Sequence, residues 1–191
     1  MEKSQLYLKI KSFILKQRIA LIGCLVLLAL IILLGILAGG TNKRVMQAQK
    51  DMVVLAENIR KQYTKKPDYW GLSTQSIIQN GIVPKSMLRN DKLFSPIAKE
   101  TLVGADVDGN MVMPGTRSFY IIYKGLSKKN CVDMASYPMS EQNKLGLLSV
   151  TIVNEQNEVV FQWGGEYSLP IDKASAAKIC HNNNIILWNF E

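Results

Sequence analysis

Residues 19–40 read IALIGCLVLLALIILLGILAGG, a run of 22 residues without a charge. At about 1.5 Å per residue, a helix of this length crosses the roughly 30 Å hydrocarbon layer of a bilayer. Residues 1–18 precede the run and carry five basic side chains against one acid, Glu2. Because basic flanks stay cytoplasmic, we expect a cytoplasmic leader over 1–18, a transmembrane helix over 19–40, and the remaining residues across the membrane.

The run is too long for an ordinary cleaved secretory signal, whose apolar core is about 7–15 residues. The tetrapeptide Leu21–Cys24 looks like a lipoprotein signal, but sixteen uncharged residues follow Cys24 within the run. A lipid anchor replaces a membrane span rather than extending one. We therefore interpret Cys24 as a small apolar residue of the span.

An amphipathic helix is predicted immediately downstream, over residues 41–66. Its apolar residues recur at steps of three and four, as on one face of a helix, at Val45, Ala48, Met52, Leu55, Ile59 and Tyr63. Pro67 ends it, because proline biases its predecessor away from the α region. Gly39 and Gly40 loosen the junction with the span, and Asn42 can cap a new helix, so one bent helix and two helices both remain open.

Residues 67–191 have the length of one domain and mix strands with short helices, which predicts an α+β head. Branched and aromatic runs indicate strands, and serine caps, a glycine stop and an alanine-rich stretch indicate helices. The predicted strands are Ser118–Tyr123, Leu147–Val153, Val159–Trp163 and Ile185–Phe190. A short helix is predicted within Ser73–Gly81, and two more over about Lys128–Ala135 and over Pro170–Cys180. The strands are expected to pair antiparallel.

The charge distribution argues against a nucleic-acid receptor. The net charge is +8, but +4 of it lies in residues 1–18, and residues 41–191 carry 18 basic against 14 acidic side chains. Part of the charge clusters at Lys43, Arg44, Lys50, Arg60, Lys61, Lys65 and Lys66. Such a run indicates a solvated helix face or a membrane-surface contact, and no nucleic-acid-binding motif accompanies it.

Cys131 and Cys180 both lie in the segment expected outside the cytoplasm, where thiols oxidise. A disulfide closing a loop of about 50 residues is therefore predicted, with two buried free thiols as the alternative. No metal site is predicted, because the single histidine, His181, follows Cys180 directly and no zinc-ligand spacing is present.

No catalytic or cofactor-binding motif occurs, and we expect neither enzymatic activity nor a cofactor. Asp106–Asn110 has alternating oxygen ligands, but Arg117 occupies the position of a closing calcium ligand, so a turn is predicted there. Of Trp70, Trp163 and Trp188, at least two are expected to pack in the core.

Three segments of the head carry a family pattern. They are Tyr69-Trp70-Gly71-Leu72 with Gly81-Ile82-Val83-Pro84, then Phe119–Leu126 leading into Asn130-Cys131-Val132-Asp133-Met134-Ala135, and Pro170–Cys180 before the final strand. With this order of elements, the chain resembles the type IVb pilins, the family of toxin-coregulated, bundle-forming and plasmid thin-pilus subunits. The resemblance covers about residues 45–190.

The resemblance implies a long N-terminal helix, membrane-spanning in its first half, packed on an antiparallel sheet with a C-terminal disulfide region. It implies that Cys131 and Cys180 are the family's disulfide cysteines. The implied function is a structural subunit that assembles with itself and other pilin subunits through pilus assembly or secretion machinery. The implied location is the inner membrane with a periplasmic head, and an extracellular pilus after assembly.

The N-terminus departs from the pilin pattern. Pilin precursors are cut after a glycine, and the fifth mature residue is usually a glutamate. If cleavage follows Gly23, the mature chain begins at Cys24 and Leu28 occupies the position of the glutamate. Two hypotheses follow: a pilin-like filament subunit that can be a minor pilin, and an uncleaved single-span inner-membrane protein with a periplasmic pilin-like domain in a secretion or conjugation envelope complex.

Overall fold

The structure, a computed structural model, describes residues 43–105, 117–138 and 145–191. The predicted leader, the predicted span, Gly23 with Cys24, and the Asp106–Asn110 turn lie outside the described residues. The chain divides into two compact units, Met1–Lys43 and Arg44–Glu191. Within the described ranges, no helix combines the length and apolar character needed to cross a membrane.

Helix α1 covers residues 43–63 of the described chain. All six apolar positions of the predicted stripe are buried, from Val45 at 4% exposure to Tyr63 at 6%. Lys43, Met46 and Lys50 lie on the opposite, exposed side. The amphipathic prediction is confirmed for these residues, and the stripe packs within the core of its own head.

Helix α2, Thr74–Gln79, begins at a capping box. The Ser73 hydroxyl accepts a hydrogen bond from the Ser76 amide, and the Ser76 hydroxyl accepts one from the Ser73 amide. These bonds satisfy amides that a helix start otherwise leaves without partners. Gly81 has a positive φ of 66°, which suits the chain reversal after the helix.

A small hairpin follows α2 and was not predicted. A 3₁₀ turn at Lys85–Met87 leads into β1, Leu88–Arg89, which pairs with β2, Lys92–Leu93. The connecting residues Asn90 and Asp91 both have positive φ, 48° and 55°, as a two-residue type I′ turn requires. Strands of two residues are too short to show an alternating apolar pattern in the sequence. The Asn90-Asp91 pair was therefore the one local feature that could have indicated this hairpin.

The main sheet has five antiparallel strands in the order β3-β4-β7-β5-β6. They are β3 Glu100–Ala105, β4 Phe119–Leu126, β5 Leu147–Val153, β6 Glu158–Gln162 and β7 Asn184–Phe190. The four predicted strands are confirmed. The last strand lies at the centre of the sheet, between β4 and β5.

The sequence analysis missed β3, an edge strand with weak strand formers such as Gly104. Gly104 has a structural reason: a Cβ at this position would collide with the hydroxyl end of Tyr120, which lies directly opposite on β4. The glycine therefore lets the Tyr120 ring cross its neighbouring strand, which a propensity scale does not register.

One face of the sheet and α1 share a single hydrophobic core. An aromatic row runs from the helix into the sheet: Tyr63 stacks on Tyr69 at 5.2 Å, Tyr69 contacts Phe119 at 4.9 Å, and Phe119 stacks on Phe190 at 5.2 Å between ring centroids. This row links the carboxyl end of α1 to the ends of β4 and β7.

Two further helices flank the sheet. Helix α3, Lys128–Ala135, has the predicted bounds and begins at Ser127, whose side chain accepts from the Asn130 amide. Helix α4, Lys173–Ile179, begins later than predicted because Asp172 caps it. Pro170 and Ile171 therefore precede the helix rather than form its first turn.

Candidate assembly surfaces

A disulfide joins α3 to α4. Cys131 lies within α3 and Cys180 is the C-cap of α4; their Cα atoms are 5.9 Å apart and both residues are fully buried. The predicted pairing is present, and the alternative of two free thiols is wrong. The bond connects residues 49 apart in sequence, so it closes the segment that contains β5 and β6.

The cap of α4 is ionic. Asp172 Oδ1 accepts from the amides of Ala174 and Ser175 at 2.8 and 2.9 Å, and Oδ2 accepts from the Ser175 hydroxyl at 2.6 Å. These hydrogen bonds favour the carboxylate, the Ser175 hydroxyl most, and hold the pKa of Asp172 below its ordinary value of 3.8.

Asp172→Asn is expected to reduce the acid sensitivity of the head. A lowered folded-state pKa means that the Asp172 contribution is present above pH 3.8 and is lost as the pH falls through the lower folded value. Asparagine caps helices well and does not titrate. Urea unfolding at pH 7 and pH 3 should therefore show a smaller loss of stability for the variant than for the wild type. An equal loss in both proteins would contradict the role of the carboxylate.

The described residues offer no evident metal centre. Among His, Cys, Asp and Glu of residues 43–105, 117–138 and 145–191, no three converge on a possible ion site. His181 lies beside the disulfide, and its backbone amide donates to the Asn184 side chain at 2.8 Å.

A buried polar cluster lies beneath α1. Asp51 is 4% exposed, and its Oδ1 accepts from Gln47 Nε2 and from the Ser86 hydroxyl, both at 2.7 Å. Burial raises the pKa of the Tyr123 hydroxyl; the Ser95 hydroxyl opposes this increase, and the negative charge of Asp51 adds to it. The sequence analysis missed Asp51, although it interrupts the apolar side of α1. Its bonds tie the helix to the segment before β1.

A cationic groove of about 640 Å³ lies at the carboxyl end of α1. Arg60, Lys66 and Arg117 line it, together with the acids Asp68 and Glu191. Arg60 and Lys66 belong to the basic cluster predicted as a solvated helix face or a membrane-surface contact, and Arg117 joins them from just before β4. The cluster thus divides between an exposed side of α1 and a concave site.

Two tyrosines form the aromatic wall of this groove. Lys66 Nζ lies 4.1 Å from the centroid of the Tyr63 ring, a cation–π distance. Partial burial raises the pKa of Tyr69, while the charge and hydrogen bond of Arg60 oppose the increase. The wall is continuous with the aromatic row of the core, which holds the groove in place.

The hairpin between β5 and β6 carries an acidic turn, Asn154–Glu158, whose last residue is the first of β6. Asn154 Oδ1 accepts from the amides of Gln156 and Asn157 at 3.0 and 3.1 Å, and Asn154 Nδ2 donates to the Ile179 carbonyl at 2.9 Å. Glu155 and Glu158 are exposed. The sequence contains no Lys or Arg from Leu145 to Asp172, so the hairpin that carries the turn has no base of its own.

A larger groove of about 950 Å³ lies between α2, the β1–β2 hairpin and β3. Ile78, Leu93 and Leu102 contribute apolar surface, and Gln75 and Lys92 contribute polar groups. The sequence analysis could not place this groove, because two of its three walls are the strands that it missed.

The tryptophan prediction is wrong. Trp188 is fully buried, but Trp70 and Trp163 are 54% and 49% exposed. Trp163 Nε1 donates to the Leu147 carbonyl at 3.0 Å, which holds its ring across the end of β5. Val160 and Tyr167 are also exposed, each at 43%.

Comparison with known proteins is consistent across sequence and fold. A family model described as bundlin matches residues 38–185. The fold is similar to a type IV pilin, TcpA, from Vibrio cholerae El Tor biotype, with a TM-score of 0.51 and 10% identity over 78% of this chain and 99% of that one. It is also similar to a type IVb pilin from Salmonella typhi, with a TM-score of 0.51 and 15% identity over 76% and 98% of the two chains. No curated protein matches the sequence.

Proposed function

The chain belongs to the bundlin family and is a type IVb pilin-like structural subunit, and we propose that it assembles with copies of itself and other pilin subunits into a pilus or pilus-like filament. The family match over residues 38–185 carries the proposal. The α+β head with α1 in its core and a disulfide between α3 and α4 supports it.

Assembly, rather than catalysis, is the proposed mechanism. Helix α1 buries one side in the head and leaves Met46 67% exposed on the other, where Val53 and Val54 are only half-buried. Packing between the apolar residues 19–40 of neighbouring copies would supply cohesion in a filament. The head would supply lateral and surface contacts. No enzymatic activity or cofactor is part of the proposal.

The proposed domain plan follows from this mechanism. Residues 1–18 form a cytoplasmic leader, 19–40 a transmembrane helix, 41–66 a stalk and 67–191 the head. Before assembly the chain is held in the bacterial inner membrane with its head in the periplasm, and after assembly the head is displayed on an extracellular pilus. Pilus assembly or secretion machinery is the expected partner.

One observation favours a second function, that of an uncleaved envelope protein in a secretion or conjugation complex. No acid occurs between Glu2 and Asp51, so Leu28 would replace the glutamate of ordinary pilins after cleavage at Gly23. That loss removes a charge pairing in the apolar filament core. A terminal or minor pilin would tolerate the loss better than a major one.

The intact mass of the chain from its native membrane tests the two functions. We expect the loss of about the first two dozen residues, because prepilin processing near Gly23 precedes filament assembly. The same chain should appear in filaments sheared from the cell surface. Substituting Gly23→Val should retain the full-length mass and abolish the sheared fraction, whereas Gly35→Val, within the same apolar run, should do neither. A full-length wild-type mass, with no chain in the sheared fraction, would favour the envelope protein instead.

A further inference from the structure

We propose that the acidic turn of one copy, Asn154–Glu158, docks into the cationic groove of a second copy. The inference rests on the proposed function, because it assigns the contact between neighbouring heads. The occupant is a second copy of this chain, and charge complementarity between two preformed surfaces is the reason.

The two surfaces lie at opposite ends of the same sheet. At one end, Phe190 of β7 pairs with Phe119, whose ring contacts the groove residue Tyr69. At the other end, Val153 pairs with Ile185, and the acidic turn follows directly. Because the full length of β7 separates the groove from the turn, one copy cannot bring its own turn into its own groove. A contact between different surfaces of identical subunits is head-to-tail and, where the rotation does not close, generates an open filament.

The charges of the two surfaces are opposite. Arg60, Lys66 and Arg117 outnumber the two acids of the groove, Asp68 and Glu191. The turn presents Glu155 and Glu158 without a base in its hairpin. An ion pair in a groove is less screened by salt than one on an open surface. An ion pair formed in the groove is therefore stronger at a given salt concentration than one formed on the exposed side of α1.

Both surfaces are organised before they meet. The Asn154 side chain bonds to two amides of the turn and to the Ile179 carbonyl of α4, which fixes the backbone that carries the glutamates. In the groove, Lys66 lies over the Tyr63 ring. Surfaces that are already ordered lose less conformational entropy on association, which suits a contact repeated at every subunit.

Charge exchange in the full chain tests this contact. Glu155→Lys with Glu158→Lys should lower the amount of chain in sheared filaments about tenfold, and Lys66→Glu with Arg117→Glu should do the same, because each places like charges in contact. Combining all four substitutions should restore the amount to within about threefold of wild type. Glu166→Lys and Lys85→Glu each reverse one charge, in the same two directions, at exposed positions outside both surfaces and should leave assembly unchanged.

A cross-link provides the second measurement. Glu155→Cys together with Arg117→Cys should yield disulfide-linked multimers in filaments, while Glu166→Cys with Arg117→Cys should yield monomers. Each variant is first required to retain the Cys131–Cys180 disulfide and the wild-type melting temperature.

The outcomes separate the inference from the function. If the wild type forms filaments and the charge-reversed variants do so equally well, the inference is wrong and the function stands. A different result is possible, in which charge reversal in the groove prevents assembly, charge reversal in the turn does not, and the variant with all four substitutions stays defective. In that case another anion occupies the groove, and the inference is again wrong. If the wild type forms no filaments, both fail.

Discussion

Replacing Cys131 and Cys180 together by serine is expected to lower the free energy of unfolding by about 4 kcal/mol. In the chain-entropy model, a disulfide restricts the unfolded chain, and the loss for a bridge closing about 50 residues falls between the roughly 3 kcal/mol of a 15-residue loop and the 4.7 kcal/mol of a 100-residue loop. The bond lies between two fully buried cysteines, so the new hydroxyls add a desolvation cost.

The measurement is urea unfolding of the purified full chain in detergent, followed by circular dichroism. The matched control is Cys24→Ser, which should leave head unfolding unchanged because Cys24 precedes the head. Reductant should destabilise the wild type and leave the double variant unaffected. A double variant as stable as the wild type would show that the bond is not needed to close this part of the fold. We expect the reduced head to fail first at α3 and α4, where the bond joins them.

Trp188→Ala is expected to cost about 3–5 kcal/mol of stability, the range for removing a large buried aromatic side chain. Trp188 is fully buried on β7, the central strand, and its ring contacts Tyr123 edge-on with centroids 5.3 Å apart. Truncation leaves a cavity in the core that the sheet shares with α1, and the paired strands β4 and β5 on either side of β7 limit its collapse.

Trp70→Ala is the matched control, since Trp70 is 54% exposed and surface substitutions usually stay within about 0.5 kcal/mol. The same urea experiment ranks both variants. Similar losses for the two tryptophans would contradict the burial pattern. A small loss of unfolding free energy in Trp188→Ala would mean that the core repacks around the missing side chain. Trp188→Phe tests this, because a phenylalanine fills part of the cavity and should retain part of the stability.

The two substitutions act on different parts of the subunit. The disulfide limits the unfolded chain around β5 and β6, which carry the acidic turn, whereas Trp188 fills part of the core that the sheet shares with α1. A filament subunit needs both: its N-terminal helix must remain attached to the head, and its surface loops must keep a constant shape from one copy to the next. We therefore expect either variant to reduce filament assembly even where its expression is normal.

Local patterns were sufficient to predict much of this head. The spacing of Val45 and its successors predicted α1, because helical periodicity follows from the backbone alone. Ser127 predicted the start of α3 for a similarly local reason, the hydrogen-bonding needs of a helix start. The β4, β5, β6 and β7 strands were recognisable from branched and aromatic runs that favour a pleated surface.

Features that depend on distant partners were missed or predicted wrongly. Edge strand β3 was missed because it contains Gly104, and glycine is a weak strand former. The glycine is needed there because the Tyr120 ring of the neighbouring strand leaves no room for a Cβ. Asp51 interrupts the apolar side of α1, but its partner Ser86 lies 35 residues away in the chain, so the sequence could not show what its carboxylate contacts. At least two of the three tryptophans were expected in the core because tryptophan is usually highly buried, but Trp70 and Trp163 are each about half exposed.

Residues close together in the chain were therefore enough to specify α1, the serine-capped helices α2 and α3, the strands β4 to β7 and the cysteines available for pairing. Long-range contacts place β7 between β4 and β5 and put the two candidate assembly surfaces at opposite ends of one sheet. Strand order joins residues far apart in the chain, and no local periodicity or charge run specifies it. Arg60 and Arg117 form one groove only because the fold brings the end of α1 to the start of β4.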